Sequence, residues 1–74
     1  MADFRIWGRV ECIGRSEYFV IASAVPERVS DVRPIVLTLT AHSLPQANAD
    51  RDRLMISAGE QVRARGDRVV DVEA

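Results

Sequence analysis

Three residues near the start of the chain have the types and the spacing to bind something. Arg5, Trp7 and Arg9 recur at every second position in DFRIWGRVEC. On a β-strand that period puts all three side chains on one face. An indole between two guanidiniums can stack a nucleic-acid base while the arginines hold phosphate. It can equally anchor a protein contact, since Trp, Tyr and Arg are enriched in interface hot spots. Tyr18, on the next strand-like stretch, is expected at the edge of the same surface.

Nothing else in the chain reads as a catalytic set. General acid–base work needs a titratable group held in a pocket. The candidates are His42, Cys12, Glu11 and Glu17. His42 stands just before a helix start, and Cys12 falls on the expected core face, where a thiol is inert. One cysteine and one histidine do not make a zinc site. Asp50 and Asp52 alternate with Arg51 and Arg53, which reads as a solvated helix face. The four glycines are scattered and form no phosphate loop. No catalytic residue, metal or cofactor is therefore assigned.

The elements that must position Arg5, Trp7 and Arg9 follow from periodicity. Residues 3–12 alternate, with Phe4, Ile6, Gly8, Val10 and Cys12 on one side. A turn at residues 13–16 leads into a second strand, 17–25, rich in the β-formers Tyr18, Phe19, Val20 and Ile21. A two-residue loop at Gly14-Arg15, with Gly14 at positive φ, sets Val10 against Phe19 and Trp7 against Ala22. That register puts Phe19 and Ile21 with the core. It puts Tyr18, Val20, Ala22 and Ala24 on the outer face with Arg5, Trp7 and Arg9. A three-residue loop would exchange the faces of the second strand.

The charged stretch PERVSDVR and Pro34 then interrupt the sheet. In the third strand, residues 35–41, Ile35, Leu37 and Leu39 belong to the core and Val36, Thr38 and Thr40 to the outer face. Ser43, Pro45 and Gln46 fit a capped helix start, with Asn48 or Asp50 as rival starts. Leu44, Ala47, Leu54, Ala58 and Val62 form its apolar stripe, with Met55 beside it. Gly66 ends the helix. A last strand, residues 68–73, is centred on Val69, Val70 and Val72. The order is β-β-β-α-β, and a right-handed crossover places the last strand beside the first. The expected fold is a single α+β domain: a four-stranded mixed sheet in the order 3-2-1-4, with one long helix on one face.

With 74 residues and one cysteine, the chain has no intrachain disulfide to support a small core, which leaves oligomerisation as a stabiliser. The net charge of −1 offers no bulk attraction to nucleic acid or anionic lipid. No segment is apolar and long enough for a membrane helix, and the N-terminus lacks a signal-peptide layout, so a cytoplasmic location is the default expectation. All ten basic residues are arginine, a bias with an ordinary origin in genome composition.

The element order resembles the partial ribonuclease H-like fold of HicB-type antitoxins. SEYFVIASAVPE is similar to that family's second strand and following proline, and the helix carrying Ala47 to its helix. PERVSDVR stands where that family has a glycine-rich segment. The acidic cluster of a ribonuclease H is absent, because Glu11 and Asp71 do not form such a set. The resemblance implies a fold and carries no site.

One helix covers one face of a four-stranded sheet. The other face, around Trp7, is expected to need a cover. The expected function is a small non-enzymatic interaction module, self-associating as a homodimer through that face. Candidate interaction residues are Trp7, Tyr18, Val20, Ala22, Arg5 and Arg9. The alternatives are a nucleic-acid-binding module using Arg5, Trp7 and Arg9, and a small enzyme or subunit whose site forms between chains near His42.

Overall fold

The computed structural model describes residues 1–28 and 32–73. Residues 29–31 of the charged connection lie outside the described residues. The elements are β1 (Asp3–Gly14), β2 (Glu17–Pro26), β3 (Ile35–Ala41), α1 (Leu44–Ala64) and β4 (Arg68–Glu73). They form one four-stranded sheet in the order β3-β2-β1-β4. β1 is antiparallel to β2 and parallel to β4, and β2 is antiparallel to β3. The single helix packs on one face. The expected architecture is the observed one.

The helix ends where its sequence says it should. The Ser43 hydroxyl accepts from the Gln46 backbone N–H at 3.2 Å, and Pro45 sits in the first turn. That satisfies one of the donors a helix start leaves unpaired. At the other end Gly66 adopts φ +82°. The Gly66 N–H donates to the Arg63 carbonyl and the Asp67 N–H to the Val62 carbonyl, a Schellman ending. The N-terminal segment is fastened to this turn. The Ala2 N–H donates to Asp67 Oδ1 at 2.8 Å, and the Arg68 guanidinium grips the Asp3 carboxylate through two nitrogens.

The β1–β2 register differs from the expected one by a single residue. Val10 pairs with Val20, Gly8 with Ala22 and Trp7 with Ser23. The cause is at the hairpin tip. Cys12 pairs with Tyr18 but Gly14 pairs with Glu17, so Ile13 is an inserted bulge residue. Arg15 and Ser16 make the turn, and Ser16, not Gly14, carries the positive φ (57°). A slip of one residue exchanges the two faces of a strand. Val20, Ala22 and Ala24 therefore face the helix, and Phe19 and Ile21 face away.

Size explains why this register wins. The helix crosses β1 over Gly8, where an added Cβ would lie 2.5 Å from Met55 Sδ and 2.7 Å from Arg51 Cγ. Ala22, directly beside Gly8 on β2, keeps that approach open. In the other register Gly8 would be flanked by Ile21. The core holds Phe4, Ile6, Ala22, Ala24, Ile35, Met55, Ala58 and Val62, and a second cluster joins Val20, Ala41 and Ala47. Leu39 lies on the helix side of β3 as expected but at the open margin, and Leu44 is exposed.

Gly8→Val tests the close approach. A Cβ bearing two methyl groups would overlap Met55 and Arg51 and push the helix outward. The expected loss is about 1–3 kcal/mol in a urea unfolding curve. An unchanged midpoint would mean that the helix does not sit on Gly8.

Candidate functional site

The sheet face opposite α1 carries the expected triad. Arg5, Trp7 and Arg9 alternate along β1 and point away from the core, while their neighbours Phe4 and Ile6 are buried. The registers set Val25 beside Arg5, Ser23 beside Trp7, Ile21 beside Arg9 and Phe19 beside Glu11. Across β2, Val36, Thr38 and Thr40 of β3 flank Ser23, Ile21 and Phe19. On the far side Asp71 and Glu73 of β4 flank Arg5 and Trp7.

Three of the six candidate interaction residues are not on this face. Val20 and Ala22 are fully buried under the helix. Tyr18 packs against the Val20–Ala41–Ala47 cluster on the helix side. Ala24, also expected outside, is buried. The one-residue bulge at Ile13 accounts for all four corrections. Phe19, Ile21 and Val25 take their places on the outer face. They form an apolar stripe along β2, with Trp7 and Val36 on either side of Ser23. Ser23 is buried even on this side of the sheet, as the small member of that row. The signal that could have found this arrangement is the matching of small residues, Gly8 with Ala22, beneath the helix.

The charges on the face are paired. The Arg5 guanidinium lies 3.3 Å from Asp71 Oδ2, 3.3 Å from Glu73 Oε1 and 3.7 Å from Glu27 Oε1. Its hydrogen bond to Asp71, then the nearby charges of Glu73 and Asp71, raise its pKa. It stays a cation throughout the working range of any protein. Arg9 reaches Glu11 at 3.4 Å and lies 5.5 Å from the centroid of the Trp7 ring, within cation–π range. Four carboxylates thus stand around two guanidiniums. These are exposed pairs, worth little each to stability. Their larger effect is on recognition: an incoming phosphate would have to displace carboxylates already in place.

The other candidates stay apart. His42 is exposed at the β3–α1 junction. Cys12 is exposed near the hairpin tip, not buried as expected, with its thiol 3.3 Å from the Gly14 carbonyl. Asp50 is not part of a solvated face. It is buried and ion-paired with Arg53 one turn on. Arg51 keeps to the stripe edge with its stem over Gly8, as its length allows. Among the described residues no group of three His, Cys, Asp or Glu side chains could hold a metal. None of their buried side-chain polar atoms lacks a partner. A cleft of about 440 Å3 lies beside Ala2, Asp3, Pro26, Glu27 and Arg68. Of its charged residues, Asp3 and Arg68 are bonded to each other and Glu27 lies 3.7 Å from Arg5, with Arg28 also in the lining. No helix is long and apolar enough to cross a membrane among the described residues.

Comparison with protein-family models, with curated proteins and with solved structures finds no match in any of the three.

Proposed function

We propose that this chain is a small non-enzymatic protein-interaction module that self-associates through the sheet face opposite the helix. The observation that carries the reading is the uncovered apolar stripe. Phe19, Ile21 and Val25 run along β2, Trp7 and Val36 flank them, and α1 lies entirely on the other side. Side chains of this kind, contiguous on one face, mark interaction sites. A second copy suits the face because the rim carries both signs of charge. Arg5 and Arg9 lie with Glu11, Glu27, Asp71 and Glu73. A two-fold axis can set such a surface against itself.

The nucleic-acid reading is weaker on this face, because each of its arginines is engaged by carboxylates. The inter-chain enzyme reading has only an exposed His42 to build on.

Trp7 is the only tryptophan, so its fluorescence reports this face directly. The expected emission is blue-shifted at high protein concentration and moves to the red on dilution. Ile21→Glu puts a charge in the stripe without entering the core. Its emission is expected to be red and independent of concentration, with an unchanged far-UV spectrum. Wild-type emission that ignores concentration over the same range counts against the proposal.

A further inference from the structure

The sheet has two outer edges, and they are built differently. β4 carries Arg68, Asp71 and Glu73, and Val70 is an inserted residue in its register against β1. Charges and bulges of this kind deter a stray strand. β3, at the other edge, reads IVLTLTA over Ile35–Ala41. It has no charged residue and no break in its register against β2. Its far side meets no strand among the described residues. Val36 and Leu39 are 56% and 43% exposed. We infer that a second copy of this chain pairs with that edge, β3 against β3, antiparallel about a two-fold axis at Thr38.

One hydrogen bond sets the backbone phase. The Glu27 N–H donates to the Asp3 carbonyl, so Asp3 turns its backbone polar groups toward β2. Successive residues of a strand turn theirs to opposite sides. Along the unbroken register, Arg5, Trp7, Arg9 and Glu11 do the same, and Val25, Ser23, Ile21 and Phe19 answer them. Tyr18, Val20, Ala22 and Ala24 therefore bond toward β3, where they pair with Ala41, Leu39, Leu37 and Ile35. That leaves Val36, Thr38 and Thr40 with N–H and C=O groups on the far edge. Pro34 is next in this series. It has no N–H, and it stands where a proline costs no ladder bond.

The same phase selects the axis. In a two-fold pair centred on Thr38, the Thr38 N–H donates to the carbonyl of the partner's Thr38, and the reverse. Val36 exchanges both bonds with the partner's Thr40. Every N–H that β3 turns outward then has an acceptor. A centre at Val36 would set Pro34 against the partner's Thr38 and leave that carbonyl without a donor. A centre at Thr40 would set Val36 against the partner's Leu44, which is already in α1. Side chains agree with the Thr38 centre. Leu37 meets the partner's Leu39 on the helix side. On the outer face Val36 meets the partner's Thr40, and Thr38 meets the partner's Thr38. Apolar and Thr–Thr pairs of this kind stabilise a ladder.

Both ends of β3 leave room for the second strand. Ala47 is fully buried against Val20 and Ala41, so α1 starts back over β2 and not beyond β3. At the other end Val32 packs against the core cluster of Phe4 and Val62, and the Arg33 carbonyl accepts from Arg65 at 3.1 Å. The described part of the incoming chain therefore also lies inward of the edge. The axis is perpendicular to the sheet, so both helices lie on one side and the two outer faces adjoin on the other. Edge pairing neither covers the outer face nor depends on its stacking.

The test uses the full chain, with association followed by sedimentation and amide exchange by NMR. Thr38→Pro removes an N–H that β2 does not use, and Leu39→Asp puts a carboxylate opposite the partner's Leu37. Each is expected to keep a native far-UV spectrum and to weaken the edge-paired dimer about tenfold or more. Leu39 is on the helix side, so Leu39→Asp leaves the concentration dependence of Trp7 emission in place. In Ile21→Glu, where the outer face is spoiled, the edge dimer is expected to persist. Its Val36, Thr38 and Thr40 amides are protected at high concentration and lose protection on dilution. Those of Leu37 and Leu39, which bond to β2, stay protected throughout. In a mixture of labelled and unlabelled chains, the Leu37 Hα shows a contact to the Hα of the partner's Leu39.

Unprotected Val36, Thr38 and Thr40 amides in the associated protein overturn the edge pairing. So does an Ile21→Glu chain that no longer associates, or association undiminished in both Thr38→Pro and Leu39→Asp. An Hα contact in another register overturns the Thr38 axis. The outer-face reading fails separately: Trp7 emission that ignores concentration, with the edge amides protected, leaves the edge standing alone.

Discussion

Val20→Asp leaves the chain unfolded, whereas Phe19→Asp, one position away, leaves it folded. Val20 is fully buried with Ala41 and Ala47. An unpaired carboxylate there has to be desolvated or protonated, at a cost of several kcal/mol. A domain of this length is stable by only about 4–11 kcal/mol, at 0.05–0.15 kcal/mol per residue. One buried charge removes most of that. Phe19 stands on the outer face beside Glu11 and Thr40. Aspartate there meets solvent in the monomer and adds a charge to a face already ringed with them. Far-UV circular dichroism at low concentration separates the two. The opposite ranking would restore the register without the Ile13 bulge.

Phe4→Ala lowers stability by about 3–5 kcal/mol, the usual range for emptying a buried aromatic site. Phe4 is fully buried and is among the largest side chains that are. It lies between Pro26 of β2 and Val69 of β4, where the sheet joins both edges of β1. Its side chain belongs to the core cluster with Ile6, Ala24, Ala58 and Val62. The urea midpoint is expected to fall steeply with the slope unchanged. A loss under about 1 kcal/mol would place Phe4 outside the core, since only surface changes cost so little.

The contrast between Val20 and Phe19 marks where the sequence ceases to be legible. Element order, helix caps and strand order all follow from local chemistry. Ser43, Gln46 and Gly66 fix the ends of α1, and alternation fixes the face of Arg5, Trp7 and Arg9. In β2 alternation gives no such guide. Tyr18, Val20, Ala22 and Ala24 are as apolar a set as Phe19, Ile21 and Val25. Hydrophobicity alone leaves their faces undecided, and a single bulged residue decides them. What breaks the tie is volume across strands. Gly8 beneath Met55 needs a small neighbour, and Ala22 supplies it. Asp50 escaped for a related reason. An acidic residue between arginines reads as solvated until the helix is set on its sheet, where Asp50 turns inward and takes Arg53 as its partner.

The same shift makes the outer face a better contact surface than the expected one. Tyr18, Val20, Ala22 and Ala24 give way to Phe19, Ile21, Ser23 and Val25, on average larger side chains with more apolar area to bury. The triad Arg5, Trp7 and Arg9 is retained, but with its guanidiniums held by Asp71, Glu73, Glu27 and Glu11. A surface so paired has a polar rim about an apolar centre, the layout of a protein contact.

Sedimentation equilibrium of the unmodified chain and of Ile21→Glu, over the same concentration range, tests self-association through the outer face most directly. The account predicts reversible association of the first, with a mass above the monomer that falls on dilution. It predicts a folded Ile21→Glu protein whose association through this face is gone. A wild-type chain that remains monomeric at the highest concentration reached, or an Ile21→Glu chain that associates as tightly as wild type, would contradict it.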